Sequence, residues 1–181
     1  MALRWGFKSE ANAYARDLRA ELGLGAHSPL CQWLLAEHLG YKIRPLSSYI
    51  DLHGRQVLHF TTPKGQKEFS AVTVNTDDGP VIIHNDWHNP KRQAANLAHE
   101  SAHGILHHKP SALFDGNKRA YNAEMEDEAN WLGPALLISD EAALLIVKRQ
   151  YSLEQASDLY QASVEVVRFR LNVCGAFRRA A

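Results

Sequence analysis

Apolar residues recur at helical spacing through most of this chain and give way to strand-like alternation in one central stretch. Residues 8–22 and 29–40 read as helices, parted by the breaker run Gly23-Leu24-Gly25-Ala26-His27-Ser28-Pro29. Between Tyr41 and Asn85 the pattern changes. Residues 70–75 and 81–84 are rich in β-branched side chains, and Thr76-Asp77-Asp78-Gly79-Pro80 between them has hairpin chemistry. Val57-Leu58-His59-Phe60 is read as a further candidate strand. Asn89-Pro90 then offers an N-cap followed by proline at the first helical position. Ala94, Ala95, Leu97, Ala98, Ala102, Ile105 and Leu106 supply an apolar face behind it, and Pro110 bounds the far end, which predicts a helix near 90–108.

Residues 123–138 are acidic in their first half and apolar in their second. This is the pattern of a helix that enters from solvent and continues into the core, with its acidic start matched to the helix dipole. Gly133-Pro134 inside it predicts a kink. After Ser139 the chain is helical again. Ser152-Leu153-Glu154-Gln155 reads as a capping box and Ser163 as the cap of a following helix. These last two helices are helix-turn-helix-like, and Arg168, Arg170, Arg178 and Arg179 make the end locally basic. Without a recognition-helix signature they read as a packed hairpin closing the core.

Chemistry enters at His99-Glu100-Ser101-Ala102-His103, an H-E-x-x-H. Histidines four apart share one helix face, so both imidazoles can reach one metal ion, and the glutamate beside the first can hold and deprotonate a water. Ten histidines in 181 residues make the five letters weak on their own, so the helical context carries the argument. His107 cannot join both others on one ion. Residues eight apart on a helix are about 12 Å apart, whereas zinc–nitrogen bonds are about 2.1 Å. It reads as a surface group or as one behind the ligands. A third ligand must come from elsewhere, and one of Glu124, Glu126, Asp127 and Glu128 would complete a two-histidine, one-carboxylate zinc site with an open position.

These segments together resemble the ImmA/IrrE family of metallopeptidases, proteins tied to phage-type repressors and stress regulators. The resemblance is carried by residues 10–19, 34–40, the zinc helix 96–107 with its trailing histidine, and Glu126-Asp127-Glu128-Ala129-Asn130 followed by Ala135-Leu136-Leu137-Ile138. Carried over by position, it implies Glu126 as third ligand, with Glu128 as runner-up. It also implies Asn130, one turn later, as a hydrogen-bond partner of a zinc-bound imidazole. The chain departs from the family pattern at Ser101-Ala102 inside the motif and at Ile138-Ser139, where Met-Pro is usual.

The expected fold is α+β: a small antiparallel sheet, the H-E-x-x-H helix, a glutamate-bearing second helix and further N- and C-terminal helices. Residues 1–138 are expected to form a zincin-like domain, with 139–181 packed on it. The expected function is zinc-dependent endopeptidase action on a protein partner, a helix-turn-helix repressor, with Glu100 as base. His84, His88, His107 and Tyr121 are the candidates to assist at the carbonyl, and Trp87 is a candidate substrate contact. The strand 81–84 is expected to be the sheet edge that receives substrate. The alternative is a regulatory DNA- or protein-binding module with a structural or inactive zinc.

Composition changes this picture little. A 45% hydrophobic content is that of an ordinary globular domain, and a formal net charge of +0 gives no bulk drive toward nucleic acid. Two cysteines, Cys31 and Cys174, form neither a metal-ligand pair nor a disulfide framework, which suits a reducing cytoplasm. No apolar run reaches membrane-spanning length and no signal-peptide core is seen, so no membrane partner is expected.

Overall fold

The computed structural model describes residues 3–108 and 122–180. Helices α1 (Phe7–Glu21) and α2 (Gln32–His38) lead into strand β1 (Lys42–Pro45), a 3₁₀ turn (Leu46–Tyr49), α3 (Ile50–His59) and the single turn α4 (Gly65–Glu68). Strands β2 (Ala71–Thr76) and β3 (Gly79–His84) precede α5 (Pro90–Ile105) and α6 (Ala123–Leu137). The chain then continues through α7 (Asp140–Lys148), α8 (Leu153–Tyr160), α9 (Val164–Val173) and α10 (Ala176–Ala180). The fold is α+β, as the pattern predicts.

The β2–β3 hairpin is antiparallel, with Asp77-Asp78 as its loop and Gly79 at φ 104°, a left-handed conformation open to glycine. The sheet order is β1-β3-β2, and β1 joins β3 in parallel. Two expectations are thereby corrected. Strand β3, which carries Val81-Ile82-Ile83-His84, is the central strand rather than the edge. Val57-Leu58-His59-Phe60 lies in and just after α3 rather than in a strand. A four-residue apolar run has no periodicity to separate helix from strand, and here one residue of it, Val57, is buried by a helical turn.

The sheet lies against α5 and α2 through Ile82, Leu97 and Ala36, all fully buried. Burying an Ile or Leu side chain contributes about 1.5–3 kcal/mol. Two larger clusters flank α5 and α6. One joins Phe7, Ala11 and Ala15 of α1 to Leu132 and Leu136 of α6. The other joins Ala94 and Ala98 of α5 to Ile146 of α7, Tyr160 of α8 and Val167 and Leu171 of α9. The helical caps follow the sequence signals: Asn89 accepts from Arg92 N, Ser152 and Gln155 form the capping box, and Ser163 accepts from Val166 N. Pro134 does not end α6, which runs on to Leu137. Pro110 lies outside the described residues.

No single helix among the described residues is long and apolar enough to cross a membrane. Taken together, α6 and α7 reach that composition, but they meet at a 49° bend and bury their apolar faces in the two clusters.

Helices α5 and α6 meet backbone against backbone at Gly133. A side-chain carbon there would sit 3.3 Å from the His99 nitrogen and 3.4 Å from the Ala98 carbonyl carbon and the His99 Cα, so glycine lets the second helix lie directly on the first. Gly133→Val is expected to lower stability by about 1–3 kcal/mol, the usual cost of overpacking, measured by denaturant unfolding. An unchanged midpoint would show that the helices have room to spare.

Candidate metal centre

Helix α5 buries Ala94, Leu97, Ala98, Ser101 and Ala102, which turns His99, Glu100 and His103 toward its half-open side. The two imidazoles, one turn apart, stand edge to face with ring centroids 4.7 Å apart and Nε2 atoms 3.1 Å apart. The first turn of α6, capped by the Asn122 side chain, delivers Glu126 to the same point. Its Oε2 lies 3.4 Å from His99 Nε2 and its Oε1 lies 3.6 Å from His103 Nε2.

These three residues form a group whose ligand atoms all lie within 4.8 Å of one another. Two atoms each about 2.1 Å from a tetrahedral ion are about 3.4 Å apart. The observed spacings of 3.1, 3.4 and 3.6 Å bracket that value, so the residues fit a tetrahedral divalent ion. Their side chains are 29%, 22% and 32% exposed for His99, His103 and Glu126, which leaves the cluster reachable from solvent.

Glu100 follows His99 by about 100° around the helix. Its Oε2 accepts a 2.6 Å hydrogen bond from the Thr73 hydroxyl of β2. The Tyr41 hydroxyl lies beside the same face of α5, in the space that a side chain at Gly104 would fill. Burial pushes the Tyr41 phenol above its ordinary value, and the nearby Glu100 carboxylate adds to the rise. Neither Thr73 nor Tyr41 stood out in the sequence. The one available signal was Gly104 directly after the motif, since a glycine inside a helix often marks a close approach.

The remaining candidates are dispersed. His107 adopts φ 51° and is exposed. His108, which no motif marked, stands next to the ligands: its Nδ1 is 2.9 Å from His103 Nδ1 and its Nε2 is 3.1 Å from Glu128 Oε2. Glu128 therefore faces His108 rather than joining the ligand group. Asn130 is exposed. Trp87 is half-buried. Tyr121 lies outside the described residues.

His84 and His88 are buried. His84 packs edge-on against Trp33, while His88 Nε2 is 2.8 Å from the Gln66 carbonyl and its Nδ1 is 3.1 Å from Asn96 Nδ2. Those contacts commit His88 to the loop that positions α5.

A fold with a short sheet beside an H-E-x-x-H helix and a glutamate from the next helix defines a metallopeptidase-type protein. The family model described as Peptidase_M78, the IrrE N-terminal-like domain, matches residues 48–172. The chain belongs to this ImmA/IrrE family of metallopeptidases. No curated protein and no solved structure matches it.

Burial lowers the pKa of His88, and the neighbouring Arg92 lowers it further against the opposing pull of the Gln66 carbonyl. The folded chain thus holds this proton more weakly than the unfolded chain. The corresponding stability is complete above about pH 6.5 and is lost as pH falls through the lowered folded value. His88→Gln keeps a donor for Gln66 but has no titrating ring. The metal-free variant should lose stability less steeply than wild type between pH 7 and 5 in denaturant melts. Equal slopes would show that His88 is not held neutral by the fold.

Proposed function

We propose that this chain is a zinc-dependent endopeptidase that hydrolyses a peptide bond in a protein partner, a transcriptional repressor. The observation that carries the reading is the convergence of His99, His103 and Glu126 on one point, with Glu100 on the adjacent helix position and the cluster half open. A purely structural site has no need of that glutamate or of solvent access.

His99, His103 and Glu126 would hold the ion. Zinc, when bound, supplies a Lewis acid for the scissile carbonyl and makes a neighbouring water more acidic. Glu100 takes the proton of the attacking water as the new C–O bond forms, then delivers it to the amine nitrogen as the C–N bond breaks. The Thr73 hydroxyl holds the Glu100 carboxylate in one orientation, leaving its other oxygen for that exchange. The Tyr41 hydroxyl, on the same face of α5 and within electrostatic reach of Glu100, is a candidate donor to the carbonyl oxygen.

Substrate would add to the sheet along β2. This strand has a strand neighbour on one side only among the described residues, and Thr73 ties it to Glu100. The Asn85 N–H bond to the Ser70 carbonyl sets the ladder register. By antiparallel alternation Ser70, Val72 and Val74 point their backbone groups at β3, and Ala71, Thr73 and Asn75 point theirs outward.

The partner assignment rests on the family's association with repressors. The segment 139–181 reads as part of the same unit, because α7–α9 bury Ile146, Tyr160 and Val167 against Ala94 and Ala98 of α5. This favours packing over direct nucleic-acid binding. Two free cysteines, one exposed, suit a cytoplasmic setting.

His103→Ala should abolish stoichiometric zinc, whereas Glu100→Gln should keep zinc and fold and lose about 10²–10⁴-fold in turnover. Full zinc occupancy of the first variant at neutral pH would remove the assigned site, and unchanged turnover of the second on a cleavable repressor would remove the mechanism. Asn75→Pro deletes one outward N–H from β2 without touching the ladder to β3. It should raise KM with little change in kcat, and unaltered kinetics in a folded variant would rule out strand addition there.

A further inference from the structure

We propose that His108 is a positioning residue for the metal centre, the middle link of a hydrogen-bonded chain from His103 through His108 and Glu128 to Arg4. The proposal rests on the reading of His99, His103 and Glu126 as metal ligands.

The chain of contacts begins with how α5 ends. His107 turns left-handed at φ 51°, the His108 N–H returns to the His103 carbonyl at 3.0 Å, and the His107 N–H returns to the Gly104 carbonyl at 3.0 Å. This is the Schellman closure, in which the residue two past the cap folds back over the last full turn. The fold-back usually brings an apolar pair together. Here it sets the His108 ring edge-on against the His103 ring, with centroids 5.1 Å apart.

Among the described residues, one proton arrangement satisfies these contacts while His103 serves as ligand. Its Nε2 must be bare to face the cluster, so its ring proton sits on Nδ1 and is donated to His108 Nδ1 at 2.9 Å. His108 is then protonated at Nε2, which donates to Glu128 Oε2 at 3.1 Å. The other Glu128 oxygen accepts from Arg4 Nε at 2.8 Å, and Arg4 is held by Glu10 at 2.7 Å. A carboxylate at the far end thus selects the tautomer at the metal end. The His108 side chain is 7% exposed and that of Glu128 15%, so water competes little for either bond. Groups that orient a ligand imidazole in this way typically change metal affinity about 10–100-fold when removed. Arg4 lies outside the family-matched segment 48–172, so the chain's own N-terminal region anchors its metal ligand.

The test is zinc affinity at neutral pH by competition with a chromophoric chelator, using the full chain, with circular dichroism confirming the fold of each variant. His108→Phe keeps the ring and removes the acceptor, and should weaken zinc binding about 10–100-fold. His108→Asn places an amide oxygen where Nδ1 was and should recover most of that loss. Glu128→Ala should weaken binding in the wild-type background and add nothing to His108→Phe, because both lie in one series. Cobalt substitution should show an altered visible spectrum for His108→Phe and a near-native one for His108→Asn. Stoichiometric zinc with equal affinity in wild type and His108→Phe would overturn this proposal alone. So would equal losses for the Phe and Asn variants, or additive losses for His108→Phe and Glu128→Ala. A wild-type chain that takes up no zinc would overturn the metal site and this proposal with it.

Discussion

The approach of α6 to α5 at Gly133 is the constraint on which the rest of the structure depends. Two histidines on one helix can present only one edge of a coordination shell. The third corner must come from a separate element, and its position is set by how near the two helix axes lie. With glycine against the backbone of Ala98 and His99, α6 lies close enough for Glu126, about two turns earlier, to reach both Nε2 atoms at 3.4 and 3.6 Å. The geometry is written into helix packing.

That packing is fixed from the other end of α6 by two buried arginines. A helix leaves its last carbonyls without internal partners. At the break between α6 and α7, Arg19 of α1 donates to the carbonyls of Leu136 and Leu137, and Arg170 of α9 donates to that of Ile138. Arg170 also pairs with Asp140 at 2.8 Å, whereas the other Arg19 bonds go to the carbonyls of Ala15 and Ser28. Burial drives the Arg19 pKa down to about 10, a measure of what it costs to hold a guanidinium among neutral acceptors, yet it remains a cation at neutral pH. The N-terminal and C-terminal helices thereby meet at one elbow and lock the direction of α6. The same helix thus carries Glu126 in its first turns and is held by Arg19 and Arg170 at its last.

Much of this was legible in the sequence, for reasons that differ by residue. The α5 helix announced itself through Asn89-Pro90 and its apolar face, and His99, Glu100 and His103 lie where helical spacing puts them. The hairpin was readable because a two-residue loop beside Gly79 is a local signal. Strand β1 was not, since a four-residue parallel partner depends on a contact with β3 some forty positions away. Position by position, family likeness pointed to Glu126, which the structure brings to the histidines, and to Asn130, which it leaves in solvent. His108 comes to lie against His103 as well, because a left-handed His107 reverses the chain. Spacing rules written for a continuing helix cannot anticipate a residue placed by the way the helix ends. Thr73 and Tyr41 were invisible for a related reason: each reaches the site from another element and carries no motif of its own.

The distribution of exposure around the cluster is what the proposed peptidase reading calls for and a structural zinc would not. A structural zinc is enclosed by four protein ligands, and nothing is gained by leaving it reachable. Here the side facing solvent carries the partly exposed ligands and Glu100, while the side facing the protein carries His108 and Glu128, which are nearly dry. Burying the orienting groups makes each of their hydrogen bonds stronger, because less water competes for the donors. On that reading, the partly exposed tips of His99, His103 and Glu126 leave the ion open to a peptide and a water. An edge strand beside Glu100 adds the one feature that a bare metal site lacks, a backbone template that can align an extended chain. Rigid behind and open in front is the division expected of a protein that must hold its catalytic groups still while its substrate comes and goes.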